Sequence, residues 1–291
     1  MGEFALIDEI VAQLGEQSRA AWVSTGPGDD ATVVQVTPLH EVVASIDSFL
    51  EGVHFPPSAP PEDVGYRTFM ASASDLAAMG AKPRYALVAM SLPDLDKDYV
   101  LGLCQGMAEA ANLCGMAVCG GNLSKGPLNI TVSVHGEVAS GQGLLRSNAR
   151  VGDLVQVSGP LGQAAACVRL QAYEDAGALR EAYFRPRARV DLIHVIESAT
   201  TAIDISDGCL QDLGHIAKSS DVGISVFSER VPVGEGAILE DALWGGDDYE
   251  LIVTAEQQLR GFTIIGDVIE GAGVLLDGQE VGVKGYDHFR A

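Results

Sequence analysis

The apolar residues of this chain arrive in short runs, and most runs are closed by glycine or aspartate. ATVVQV (31–36), EVVASID (41–47), RYALVAMSL (84–92), AVCGG (117–121) and LNITVSVHGEV (128–138) have the length and composition of strands. DVGYRTFMASASDLAAMG (63–80), rich in alanine and methionine with Gly80 as a stop signal, reads as a helix, and 96–116 as a second. The first two runs, separated by a turn containing Pro38, read as a hairpin. The order β-β-α-β-α-β-β predicts a mixed sheet with helices on one face, an α+β layer. ASGQGLLRSNARVGD (139–153) is polar and glycine-rich, and the rhythm restarts after it with LVQVSG. That places a boundary near 145 and predicts two domains, 1–145 and 146–291. The second half reads as an α/β domain, with helices at 161–172, 186–198 and 207–219. Its strands fall at 201–205, 223–227, 249–254, 262–268 and 273–276.

A length of 291 residues suits two domains of ordinary size and a core that needs no disulfide staples. Eighteen basic residues against 40 acidic ones leave a net charge of −22, which argues against a nucleic-acid-binding face or an anionic-membrane partner. A chain this acidic that handles phosphates needs divalent metal to screen the repulsion. The five cysteines form no CxxC pair or zinc-spaced array, and their odd number reads as reduced thiols in a cytoplasmic protein. MGEFALIDEIVAQLG carries acids where a secretory signal carries positive charge, so it reads as an amphipathic first helix. No apolar run reaches the roughly 18 residues of a membrane span.

Forty acids in 291 residues make about five adjacent acid pairs a chance expectation, so position has to decide which matter. Asp29 and Asp30 follow Gly26-Pro27-Gly28, and Asp47 ends an apolar run. Asp204 and Asp207 lie in AIDISDG, where a strand turns into a helix, and Asp247 and Asp248 follow Gly245-Gly246. Carboxylates at strand ends and glycine turns can be aimed into a cleft, and hard oxygens from separate loops are what Mg²⁺ takes beside substrate phosphates. The same residues also serve as turn formers and caps, and Ser206 before Asp207 reads as an N-cap. His54 follows the Asp47 turn by seven residues, where an imidazole is either structural or a contact to a phosphate or ring. Arg146, on the linker, is the favoured cation for bidentate phosphate contact. GxxxxGK[ST], GxGxxG after a strand, HRD, DFG, GxSxG and HExxH are all absent.

Taken together, GPGDDA (26–31), SIDSFLEGVHF (45–55), SDLAAMGA (74–81), GGNLSKGPL (120–128), RSNARVGD (146–153), DISDGCLQDLGHI (204–216), GGDDYEL (245–251) and GYDHF (285–289) resemble the thiamine-monophosphate kinase family. That family lies in the superfamily of aminoimidazole ribonucleotide synthetase and selenophosphate synthetase. The resemblance runs the length of the chain. It implies an ATP- and Mg²⁺-dependent kinase that converts thiamine monophosphate to thiamine diphosphate. It also implies a homodimer paired through its N-terminal domains, with the nucleotide in a cleft against the C-terminal domain.

Carried over by motif, the metal ligands fall on Asp30, Ser45, Ile46 through its carbonyl, Asp47, Asp75, Asn122, Asp204 and Asp207. Nucleotide contacts fall on Gly121, Asn122, Arg146 and Ser206, and the thiamine side on His54, Asp247 and Tyr286. Asp47 and Asp75 are the expected catalytic pair. The chain departs from the family at Asn122, where Asp is common, at Ile46, where Thr is common, and at Asp247, where Glu is common. The stretch 227–243 is also shorter. Two other readings fit the residues: a relative acting on a formyl-amide or selenide, and a non-catalytic acidic module that binds Ca²⁺ or a basic partner.

Overall fold

In the computed structural model, which describes residues 3–94, 96–175 and 177–282, the contacts divide the chain into two units. One comprises Met1–Leu76 and Ala81–Gly141, the other Ala77–Gly80 and Gln142–Ala291. Each is a mixed α/β structure, as the sequence predicts.

The first unit contains α1 (Glu3–Leu14), β1 (Val23–Thr25), β2 (Val33–Val34), β3 (His40–Leu50), α2 (Pro61–Ala78, its last two residues counted with the second unit), β4 (Lys82–Leu92), α3 (Lys97–Cys114), β5 (Ala117–Lys125) and β6 (Asn129–Ala139). Its four-stranded sheet runs β3-β6-β4-β5, with β4 and β5 parallel and the other pairs antiparallel. Ile130, Val132 and Val134 of β6 are fully buried while the residues between them are not, the period-2 pattern of a half-buried strand. Asp96 caps α3 by accepting the N–H groups of Asp98 and Tyr99, and Gly115 ends the helix in the left-handed conformation. α2 and α3 cross so closely that a Cβ on Gly65 would stand 1.9 Å from the Leu103 carbonyl oxygen. α1 lies on α3, with Leu6 and Leu14 buried and Glu9 paired to Lys97 at 2.7 Å.

The predicted hairpin between 31–36 and 41–47 does not form. Val33–Val34 pairs with Val23–Thr25, and β3 pairs along all of His40–Leu50 with β6. The physical reason is length: β6 offers an 11-residue partner, whereas the earlier run leaves only two residues in ladder geometry.

The second unit contains β7 (Leu154–Val157), α4 (Gln163–Leu170), α5 (Ala178–Phe184), β8 (Thr201–Asp204), α6 (Cys209–Ser220), β9 (Gly223–Val226), α7 (Leu239–Trp244), β10 (Leu251–Ala255), β11 (Thr263–Ile269), β12 (Gly273–Leu276) and β13 (Gln279–Glu280). Its seven-stranded sheet runs β13-β12-β9-β11-β7-β10-β8, antiparallel except for β12 against β9. Every residue of β10 is buried. Ile252 faces a core closed by Leu210, Leu213 and Ile216 of α6, while Leu251 and Val253 face a second cluster with Ile196 and Phe262. A strand covered on both faces explains the unbroken apolar run LIVTA.

The predicted helix over 186–198 is absent. Pro186 drives Arg185 out of the helical region, to φ −123° and ψ 49°, so α5 stops at Phe184. Two 3-10 turns, Val190–Leu192 and Ile196–Ser198, occupy the rest.

Candidate active site

In the first unit, strand alternation turns Ser45 and Asp47 to one face of β3 and Ile46 to the other, where it is 64% exposed. α2 presents Ser72 and Asp75, one turn apart, to the first face. The Ser45 hydroxyl donates to Asp75 Oδ2, and Ser72 hydrogen-bonds Asp47. Burial, and then the charge of Asp75, push the Asp47 carboxyl up to about 6, against the pull of the Ser72 bond. A carboxyl raised by burial and by a facing acid is a group whose negative charge lacks a compensating cation among its neighbours.

On the other face, a cavity of about 1010 Å³ is bordered by Asp30, Ile46, Gly121 and Asn122. Asp29 accepts the Asp30 N–H at 2.8 Å, and Thr32 Oγ1 ties the loop to β5 by donating to the Cys119 carbonyl at 2.6 Å. A Cβ at Gly121 would lie 1.9 Å from the Val88 carbonyl oxygen, so the β4–β5 contact itself demands glycine there. Asp47 and Asp75 do not border this cavity. His54 accepts the Leu50 N–H on Nδ1 at 3.0 Å, which makes Nε2 the donor of the neutral ring.

In the second unit, Asp204 is buried at the end of β8, and Ser206 and Asp207 follow on the turn into α6. The predicted Ser206 N-cap is not what holds that turn. Gly208 occupies the cap position, and Asp212, from the first turn of α6, accepts the N–H groups of Asp207 and Gly208, both at 3.2 Å. Burial, together with Asp204 and Asp207, pushes the Asp212 carboxyl up to about 8. Asp207, Asp212 and His215 place one ligand atom each within 4.8 Å of one another.

Arg146 is drawn to the same helix. Its carbonyl accepts from Ser220 Oγ at 2.7 Å, and its charge helps to hold His215 below the usual imidazole range, after burial. The GGDDYE loop packs on the turn through Asp247 N–H to the Ser206 carbonyl at 3.0 Å and Tyr249 N–H to the Ile205 carbonyl at 2.9 Å. A Cβ on Gly246 would fall 2.2 Å from the Ser206 carbonyl oxygen, so this approach is possible only for glycine. Asp247 sits at φ 69° with its carboxylate accepting from the Tyr249 hydroxyl at 2.9 Å. Asp248 turns away to accept the Gly162 N–H at 2.8 Å, and burial pushes it well above the carboxylate range.

Among the residues picked from sequence, Ser45, Asp47 and Asp75 form one group. Asp30, Ile46, Gly121 and Asn122 share the cavity, Asp204, Ser206, Asp207 and Asp247 surround the start of α6, and the backbone of Arg146 is bonded to Ser220 at its other end. Tyr286 lies outside the described residues. Sequence reasoning missed Ser72, Asp212 and His215. Asp212 had a signal: it stands three residues after Cys209 on the apolar stripe of α6, a carboxylate where a core side chain belongs.

Residues 28–138 match the family model described as AIR synthase related protein, N-terminal domain. A thiamine-monophosphate kinase of Salmonella typhimurium is 35% identical, with 99% of this chain and 98% of that one aligned. The crystal structure of thiamine-monophosphate kinase from Stenotrophomonas maltophilia superposes with a TM-score of 0.87 at 36% identity, over 97% of this chain and 98% of that one. The structure of AaThiL complexed with AMPPCP and TMP gives 0.82 at 35% identity, over 99% and 97%. The chain belongs to the thiamine-monophosphate kinase family.

Proposed function

We propose that the chain performs ATP-dependent phosphorylation of thiamine monophosphate to thiamine diphosphate, for thiamine biosynthesis, as a direct in-line transfer assisted by Mg²⁺. The activity follows from the family, whose relatives carry it in name and include a structure complexed with AMPPCP and TMP. The observation that carries the mechanistic part is the Asp47–Asp75 pair, two carboxylates held face to face by serine hydroxyls.

The acceptor is a phosphate oxygen, already ionised near neutral pH, so the chain needs no general base and acts by placement and charge. The donor sets suit a hard cation: carboxylates, hydroxyls and a backbone carbonyl from Asp30, Ser45, Ile46, Asp47, Asp75 and Asn122 in the first unit, and Asp204 and Asp207 in the second. Mg²⁺ bound there supplies neutralisation of the phosphate charge. Gly121, Asn122, Arg146 and Ser206 hold the nucleotide, with the Arg146 fork on its phosphates. His54, through Nε2–H, Asp247 and Tyr286 hold thiamine monophosphate.

The first unit also carries the pairing surface of a homodimer. Support comes from β3, an edge strand with Val42, Ile46 and Leu50 exposed, and sedimentation measures the resulting mass. A cytoplasmic location is supported by five buried thiols, and among the described residues no helix is long and apolar enough to cross a membrane.

The deciding assay supplies ATP, Mg²⁺ and thiamine monophosphate, with free thiamine as control acceptor. Equal amounts of ADP and thiamine diphosphate, from the monophosphate alone, are expected. ADP without thiamine diphosphate would overturn the acceptor, and turnover that survives chelation would overturn the role of Mg²⁺.

A further inference from the structure

The turn from Asp204 to Gly208 is held from two sides. Its first half is pinned by the backbone of the GGDDYE loop, which bonds Ile205 and Ser206. Its second half, Asp207–Gly208, has its two amides collected by the single oxygen Oδ2 of Asp212, a side chain only 2% exposed. Asp212 returns its own N–H to the Gly208 carbonyl at 2.9 Å, so turn and helix start are closed into one ring of hydrogen bonds. Gly208 sits at φ 125°, with the Trp244 carbonyl oxygen 2.8 Å from where a Cβ would be, which leaves the backbone no side chain of its own to cap α6. Asp207 is half-buried, its Oδ2 accepting from Gln211 Nε2 at 3.3 Å, with a carboxylate oxygen within 4.8 Å of a ligand atom of Asp212 and of His215.

We infer that Asp212 is the positioning residue of this turn: by fixing the Asp207 and Gly208 amides it sets the carboxylate of Asp207 for divalent cation. This rests on the reading of Asp204 and Asp207 as cation ligands. The requirement is for an acceptor of one length, because the bond geometry uses Oδ2 alone. An amide oxygen at the same reach replaces it, and a carboxylate one methylene further out does not.

The test uses the full chain with Mn²⁺ as a spin probe and AMPPCP, with free Mn²⁺ read by electron paramagnetic resonance and the melting temperature recorded for each variant. Asp212→Ala and Asp212→Glu are expected to weaken Mn²⁺ binding about tenfold, and Asp212→Asn by less than about threefold, the size of effect typical of groups that orient ligands. In turnover, the half-saturating Mg²⁺ concentration should rise for Ala and Glu while kcat at saturating Mg²⁺ stays near wild type. A cap that only stabilises the helix would lower melting temperatures and leave Mn²⁺ affinity alone, and that result overturns the inference. So does an Asn variant as weak as Glu, a comparison that holds even if the Ala variant does not fold. Asp207→Asn separates the two levels. If it leaves Mn²⁺ binding unchanged, the cation reading of the turn falls and the inference with it. If it weakens binding while the Asp212 variants do not, the positioning role alone falls.

Discussion

Asp47→Asn should make the metal-free protein more stable while abolishing turnover. Burial and Asp75 raise the Asp47 carboxyl from 3.8 to about 6, so an ionised Asp47 is a cost to the fold. About two pK units at 1.36 kcal/mol each give roughly 3 kcal/mol at neutral pH. Asparagine avoids that cost but weakens the bond from Ser72, by about 1 kcal/mol, for a net gain of about 2 kcal/mol. For a chain of this size that is a rise in melting temperature of roughly 3 °C.

The sign follows from linkage. The folded state holds the proton more tightly than the unfolded state, so wild-type stability declines as pH rises from about 4 to about 6 and is flat above. The advantage of the variant is therefore full near pH 7.5 and smaller by about 1 kcal/mol near pH 5.5. Thermal unfolding in EDTA across that range is the assay, kept above the pI of about 4.4. A variant no more stable than wild type at neutral pH, or a gain that does not shrink on acidification, would refute the reasoning.

Asp75→Asn should leave the fold intact and lower kcat by at least about a hundredfold, read in the coupled ADP assay at saturating Mg²⁺. Arg146→Ala should raise the KM for ATP roughly tenfold with kcat little changed, as expected when a phosphate contact made equally in ground and transition states is lost. Gly246→Ala pushes a methyl group to 2.2 Å from the Ser206 carbonyl oxygen, and should cost about 1–3 kcal/mol and raise the KM for thiamine monophosphate through displaced Asp247. Arg189→Met strands Glu250, whose side chain is 17% exposed and whose partners are Arg189 and Ser158, and should cost about 3 kcal/mol in urea unfolding at neutral pH.

Much of the site was legible because its residues sit at chain positions with local signatures. Aspartates at the ends of apolar runs and beside paired glycines are visible without a fold, and Asp96 and Gly115 announce the ends of α3 as plainly. A hairpin between 31–36 and 41–47 satisfies every local rule, and only the competition for β3 by an 11-residue partner nearly 100 residues away removes it. Where a helix is expected over 186–198, Pro186 ends α5 at Phe184, and the residues beyond it form two 3-10 turns in place of one helix. Asp212 carried a signal in its place on the apolar stripe of α6, but which backbone amides it holds, and its 2% exposure, are set only by the fold.

The sequence by itself determined the local chemistry: where most apolar runs form strands and helices, where backbone must turn, how strongly acidic the chain is, and which carboxylates stand at turns. These depend on side-chain volume, β-branching, the freedom of glycine and the charge of neighbours, all set within a few residues. Only the tertiary structure decided the pairing of β3 with β6, the grouping of the candidates around β3, and the burial and facing charges that raise the Asp47 and Asp212 carboxyls. Those depend on burial and on charges brought from distant parts of the chain, Asp75 facing Asp47 from α2 among them. Coulomb energy and desolvation are functions of distance in space, which spacing in sequence does not determine.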